Sequence, residues 1–191
     1  MRILYKHRTS NDIDIFLNNP QSLTCVSPRV NDAVEKELSD YNEASNYIKL
    51  IFAEGKIDFI VAPNISSVKP AMINIEGCDV LVDDPVEIVS KKLFYRSDSL
   101  KERDIFDLAF VYSKTNGKLA EAFSAIPGIG GKIEKIKEYL DETPQKLYDE
   151  KVENGTPFTI LPEGRTVRGK EISLCREFLE AAEKRVHNTT H

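Results

Sequence analysis

Long apolar runs are missing from this sequence. No stretch approaches the roughly 20 residues a membrane-spanning helix requires, and the N-terminal residues show no secretory h-region. The expected setting is therefore the cytoplasm, with no membrane attachment. Cysteine is scarce: Cys25, Cys78 and Cys175 lie far apart, are odd in number and form no C-x-x-C. That pattern suggests neither a disulfide framework nor a zinc site, and predicts small buried hydrophobes in a reducing compartment. Internal repeats and low-complexity segments are absent. A positive surplus is lacking too: 26 Lys and Arg against 31 Asp and Glu leave a net charge of −5. This argues against indiscriminate nucleic-acid binding but leaves room for a local basic face. At 191 residues, 41% of them hydrophobic, the chain suffices for one sizeable globular domain, or one with a small appendage.

The stretch with the most chemistry is Ser10-Asn11-Asp12-Ile13-Asp14-Ile15-Phe16. Alternation places Asp12 and Asp14 on one face of a strand and Ile13 and Ile15 on the other, with Phe16 and Leu17 continuing the apolar run. Like charges side by side are costly unless a cation joins them. Their oxygens suit Mg²⁺, which takes one or two protein carboxylates and leaves its other positions to phosphates and water. A half-exposed strand edge is the competing reading of an isolated D-x-D. His7 and Arg8, just before it, read equally as phosphate contacts or as a solvated turn. Asn18-Asn19-Pro20 stops the strand. Residues 32–45 are charged, with Val34, Leu38 and Tyr41 at three- to four-residue spacing, which predicts a helix.

Two apolar runs follow, residues 47–52 and 56–61, separated by Ala53-Glu54-Gly55. They predict a β-hairpin with a short glycine-containing loop. Asp58 is the anomaly in the second run. Ile57, Phe59 and Val61 share one face, so Asp58 and Ile60 take the other. A hairpin lying beside the first strand would bring Asp58 to the face of Asp12 and Asp14. Three converging carboxylates form a two-metal site for phosphoryl or nucleotidyl transfer, in which Asp58 could also accept a proton. An edge-strand charge that discourages aggregation is the rival reading of Asp58.

Residues 72–82 predict a weaker pair of strands broken at Gly77. Asp83-Asp84-Pro85-Val86-Glu87 then reads as a helix start, with Asp84 as cap, Pro85 in the first position and Glu87 completing a capping box. Along this helix Lys92 and Arg96 share a face. A second helix is predicted over residues 101–112, with Ile105, Leu108 and Tyr112 as its stripe and Arg103 and Asp107 as an ion pair one turn apart. Lys92 and Arg96 are the stronger functional candidates, since cations facing an acidic metal site would hold a triphosphate. The rest of the chain reads as mainly helical. Residues 119–125 and 132–140 flank Pro127-Gly128-Ile129-Gly130, which has the form of a helix-hairpin-helix turn offering amides to a nucleic-acid phosphate. A plain Pro-Gly turn between amphipathic helices is the commoner meaning of such a segment. Residues 156–169, with Arg165 and Arg168, read as a loop or weak hairpin. Residues 171–186 predict an amphipathic helix burying Ile172, Leu174, Cys175, Phe178, Leu179 and Ala182, with a frayed tail from His187.

The run His-Arg-Thr-Ser-Asn-Asp-Ile-Asp-Ile-Phe at residues 7–16 resembles the metal-binding motif of the AbiEii/AbiGii-type nucleotidyltransferases. These are toxins of type IV toxin–antitoxin systems within the DNA polymerase beta-like superfamily. The Lys91-Lys92-Leu93-Phe94-Tyr95-Arg96 helix, followed by Arg103-Asp104-Ile105-Phe106-Asp107-Leu108, resembles that family's lysine helix and R-D-x-x-D-L segment. The likeness covers roughly residues 5–115. It implies an α/β (α+β) fold: a polymerase beta-like nucleotidyltransferase mixed sheet in a core over residues 1–113, with a mainly helical region over 114–191. It implies Mg²⁺, or Mn²⁺ in its place, on Asp12, Asp14 and Asp58. Ser10, Lys92 and Arg96 would bind the nucleotide, and Asp104 would serve as a base or organiser. The implied partners are an NTP substrate, an RNA or tRNA acceptor and a cognate antitoxin. The superfamily sets a Gly-Gly-Ser/Thr helix start before the D-x-D; residues 2–5 read as the tail of that helix, and its glycines do not precede them here. Two other readings therefore stand beside the enzyme: a nucleotide- or partner-binding module of the same fold with impaired catalysis, and a helix-hairpin-helix nucleic-acid binder.

Overall fold

The computed structural model describes residues 1–10, 12–155 and 158–189; Asn11 of the D-x-D stretch, Thr156 and Pro157 of the predicted loop, and Thr190 and His191 of the tail lie outside the described residues. Two compact units emerge, residues 10–64 and residues 1–9 together with 65–191.

In the first unit the alternating segment forms β1 (Asp12–Leu17), which pairs in parallel with β4 (Lys56–Val61). β4 and β3 (Tyr47–Ile51) make the predicted antiparallel hairpin, closed where the Phe52 amide donates to the Gly55 carbonyl. β2 (Asp40–Ala44) adds antiparallel to β3, so the mixed sheet has the order β1-β4-β3-β2. Its apolar face buries Ile48 and Leu50 with Leu23, against partly buried Leu17, Val34, Leu38, Phe59 and Val61. Leu23 comes from a 3-10 turn, Pro20–Cys25, whose start is capped by the Asn19 side chain accepting from the Ser22 amide.

The helix expected over residues 32–45 is a single turn, α2 (Asp32–Glu35), followed by a strand. Val34 and Leu38 do face the core, but Tyr41 is exposed, so the third position of the stripe had nothing to bury against. The two-residue Ser45–Asn46 connection lets Asp40–Ala44 hydrogen-bond β3 instead. A local hairpin wins over a helix with a short apolar face.

The second unit is mainly helical. After a short lead-in helix, α1 (Arg2–Tyr5), and a two-stranded hairpin, β5 (Ala71–Ile75) and β6 (Cys78–Val82), come α3 (Pro85–Arg96) and α4 (Glu102–Lys114). Glu76 and Gly77 in the hairpin turn have φ of 51° and 87°, the left-handed pair that a tight two-residue turn needs. α5 (Lys118–Ser124), α6 (Gly130–Glu142), α7 (Gln145–Gly155) and α8 (Glu171–Thr189) complete the unit. α8 packs on α4, α5 and α6 and buries the predicted Ile172, Cys175, Phe178, Leu179 and Ala182. Its helical hydrogen bonding runs past His187 to Thr189, beyond the expected fraying point. The predicted loop after residue 157 holds a 3-10 turn, Pro162–Val167.

Two sequence expectations change here. Asp84 caps α3 through the Val86 amide, but Glu87 does not close a capping box. Its buried carboxylate instead accepts from the Ile65 and Ser66 amides at 2.9 and 3.0 Å and pairs with Lys91, fastening the chain where this unit begins again at residue 65. Of the cysteines, only Cys175 is buried, and burial pushes its thiol up; Cys25 and Cys78 are exposed. Burial disfavours the thiolate, so Cys175 is packing material rather than a nucleophile.

Gly164 marks a close approach. A Cβ there would overlap the His7 carbonyl oxygen and the edge of the Phe106 ring. Gly164→Ala is accordingly expected to lower stability by about 1–3 kcal/mol, the usual cost of overpacking. A denaturant midpoint unchanged from wild type would show that the His7 segment can move aside freely.

Candidate active site

The carboxylates of the first unit gather by register. β1 and β4 run in parallel with Asp14 opposite Asp58 and Asp12 opposite Lys56. β3 adds Lys49 opposite Asp58, and β2 adds Asn42 opposite Lys49. Partners in register point to the same face, so one row across the sheet reads Asp14, Asp58, Lys49, Asn42. Asp12 lies two residues before Asp14 on that face, opposite to the apolar core. Asp12 and Asp14 are exposed and have no ion-pair partner among the described residues. The Ser10 hydroxyl lies 3.4 Å from the Asp12 carbonyl oxygen, which it faces as a donor.

Asp58 is the strained member. Its Oδ2 lies 3.4 Å from Lys49 Nζ, while Oδ1 is buried and has no hydrogen-bond partner. Burial pushes its carboxyl up; the Lys49 ammonium pulls it back, and the charges of Asp14 and Asp12 add to the upward push. The net result is a carboxyl raised from its ordinary value. These residues fit a hard divalent cation: every donor is a carboxylate oxygen, and one buried oxygen lacks the partner that a cation would supply. They do not form a closed cage. Among the described residues, no three His, Cys, Asp or Glu side chains are drawn together tightly enough to hold a metal by themselves.

The second unit holds a charged cluster on α3, α4 and the segment before β1. Asp107 is fully buried and accepts from Arg8 Nε and Nη2, both at 2.7 Å, from His7 Nε2 at 2.8 Å and from Lys92 Nζ at 2.6 Å. Burial alone would raise this carboxyl. The Lys92 ammonium and the hydrogen bonds from Arg8 and His7 outweigh it and hold the group well below the usual carboxylate range. Asp104, also buried, lies 3.5 Å from Lys92 Nζ and 3.3 Å from Arg96 Nη1, and accepts from the Lys101 amide at the start of α4. The His7 ring stacks on Phe110 with centroids 4.8 Å apart. Its Nε2 must carry the proton it gives to the carboxylate, and its Nδ1 is buried without a partner. Backbone bonds fix this segment: Thr9 N donates to the Thr159 carbonyl and Leu161 N to the His7 carbonyl.

Lys92 and Arg96 share a face of α3, as their spacing predicts, and Asp104 of α4 meets both there. The cluster's centre, Asp107, was assigned by sequence to Arg103, but its partners are Arg8, His7 and Lys92, and Arg103 Nε is buried with no hydrogen-bond partner. His7 and Arg8 form no solvated turn; both are buried. No periodicity could connect Arg8 to Asp107 across 99 residues of chain. Elsewhere, Gly128 of the Pro-Gly turn takes a left-handed φ of 74° between buried Ile126 and Ile129. Arg168 pairs with Asp149 and Glu171, a structural use, while Arg165 is exposed.

The strand D-x-D thus lies beside a third strand carboxylate, in a mixed α+β chain with a helical C-terminal region. The sequence model of the nucleotidyl transferase AbiEii toxin family of type IV toxin–antitoxin systems matches residues 1–151, and the chain belongs to that family. Among solved structures, a protein from H. pylori provisionally described as a nucleotidyltransferase is similar, with 16% identity, coverage of 96% of this chain and 82% of that one, and a TM-score of 0.47. Comparison with curated protein sequences gives no match. Among the described residues no helix is long and apolar enough to cross a membrane.

Proposed function

We propose that this chain transfers a nucleotide from an NTP to an acceptor hydroxyl in a Mg²⁺-dependent reaction, with Mn²⁺ as a working substitute. The acceptor is RNA, tRNA foremost, and the setting is a toxin opposed by a cognate antitoxin; the family's description, a nucleotidyl transferase toxin of a type IV toxin–antitoxin system, supports the toxin role. The observation that carries the chemistry is the β1–β4 register, which sets Asp14 beside Asp58 with one buried, unpartnered carboxylate oxygen. Asp12 and Asp14 would hold the cation and Asp58 would complete its shell. When bound, the cation supplies Lewis acidity toward the attacking hydroxyl and the departing pyrophosphate.

The protein's own contribution is charge and orientation. Lys92 and Arg96 are the cations offered to the triphosphate, and Ser10, at the mouth of β1, offers a hydroxyl to it. Asp104 and Asp107 fix the two cations by buried ion pairs, which removes the rotamer freedom that a loose Lys or Arg would lose on binding. Asp104, shared between Lys92, Arg96 and the Lys101 amide, acts in this reading as the organiser rather than the base.

The test is incubation with each of the four α-labelled NTPs, Mg²⁺ and total RNA. Label entering RNA with one or more NTPs is the expected result and names the nucleotide. Measurable NTP binding without label transfer would contradict transfer and leave a binding module.

A further inference from the structure

Lys49 is not part of any motif, yet it is the cation in salt-bridge contact with the acid face among the described residues. It stands opposite Asp58 in the β3–β4 register, with Nζ 3.4 Å from Oδ2, and its side chain is 38% exposed against 18% for Asp58. Lys56, although opposite Asp12 on β1, makes no such pair among the described residues. Asp58 is therefore divided: one oxygen is held by an ammonium and the other is buried and unpartnered. A lysine in this position serves no packing need, because its neighbours on β3, Ile48 and Leu50, point to the opposite face and carry the core.

We propose that Lys49 is a built-in competitor for the metal, and so a residue that determines how the acid face takes a divalent cation. Its ammonium fixes Asp58 and cancels part of the negative charge of Asp12, Asp14 and Asp58. A free cation then binds weakly, and stable binding waits for the oxygens that a triphosphate brings. Mg²⁺ in phosphate-transfer sites is ordinarily held in this shared way, by one or two carboxylates together with substrate phosphates. Moving the competing charge away should strengthen the site toward metal alone. A unit charge a few ångströms from a partly exposed ion alters its binding by about tenfold or more at the effective dielectric of such positions.

This inference rests on the metal reading of Asp12, Asp14 and Asp58, and the two can fail separately. The experiment is titration of the intact chain with Mn²⁺ alone, without nucleotide, followed by the loss of the free-ion electron paramagnetic resonance signal, for wild type, Lys49→Met and Lys49→Arg. The expected result is binding about tenfold or more tighter in Lys49→Met and near wild type in Lys49→Arg, with circular dichroism unchanged. Lys49→Met binding no tighter than wild type, while wild type binds, overturns the role of Lys49 and leaves the metal site standing. Absence of Mn²⁺ binding in both wild type and Lys49→Met overturns this inference, and absence of binding by wild type when a non-hydrolysable NTP is added as well overturns the metal reading.

Discussion

Asp12→Ala is expected to lose nucleotidyl transfer by about a hundredfold to a thousandfold or more, the scale seen when one preorganised charge at a reaction centre is removed. Its melting temperature should stay at or slightly above that of wild type. Both halves follow from the same geometry. Asp12 is exposed and has no ion-pair partner among the described residues, so nothing in the fold depends on its charge. Its charge also adds to the push on Asp58, so its removal relieves repulsion. In the proposed reading Asp12 serves the cation it would hold rather than the fold. Steady-state kinetics beside a thermal melt would check this; full transfer by the variant would sink the assignment.

Asp107 should behave in the opposite way. Asp107→Ala removes the buried carboxylate that Arg8 and Lys92 share, leaving Lys92 its longer contact with Asp104, and breaking such a pair from one side costs about 3–5 kcal/mol. Asp107→Asn keeps the shape and loses the charge, which makes it the cleaner probe of pH dependence. The folded-state carboxyl is depressed, so its stabilising contribution is fully present above the unfolded value of about 3.9. That contribution is lost as pH falls from there through the folded value. Wild-type stability should therefore drop steeply on the acid side of about pH 4, and the Asn variant should show a shallower limb from a lower starting point. Urea midpoints measured across that range decide it. Parallel limbs for the two proteins would mean that Asp107 titrates no differently when folded.

The parts of this molecule written in local pattern were readable from the chain. The alternation of Asp12 to Leu17, the apolar pair around Ala53-Glu54-Gly55, the Asp84-Pro85 start of α3 and the 3.6-residue stripe of α8 each specify their element within a few residues. The likeness of the D-x-D and R-D-x-x-D-L segments to a family extended that to the fold class and the general activity. What failed did so where a competing partner lay elsewhere. Residues 40–44 became a strand because β3 was available two residues further on. Glu87 left its capping box for the amides of Ile65 and Ser66. Arg8, His7 and Asp107 meet through tertiary packing that no spacing encodes. Lys49 was within reach of sequence reasoning: the hairpin loop sets Ile51 opposite Lys56, and counting two residues away from the loop on each strand sets Lys49 opposite Asp58. The missing step was to carry the register through to the polar face.

The most direct test of the central claim compares an α-labelled with a γ-labelled form of the same NTP, in parallel reactions with RNA and Mg²⁺. Nucleotidyl transfer predicts that the α-label enters RNA and that the γ-label leaves as pyrophosphate in equal amount. A γ-label found on RNA would contradict the account by making the chain a phosphotransferase. Retention of both labels in unchanged NTP would contradict it by leaving a binding protein.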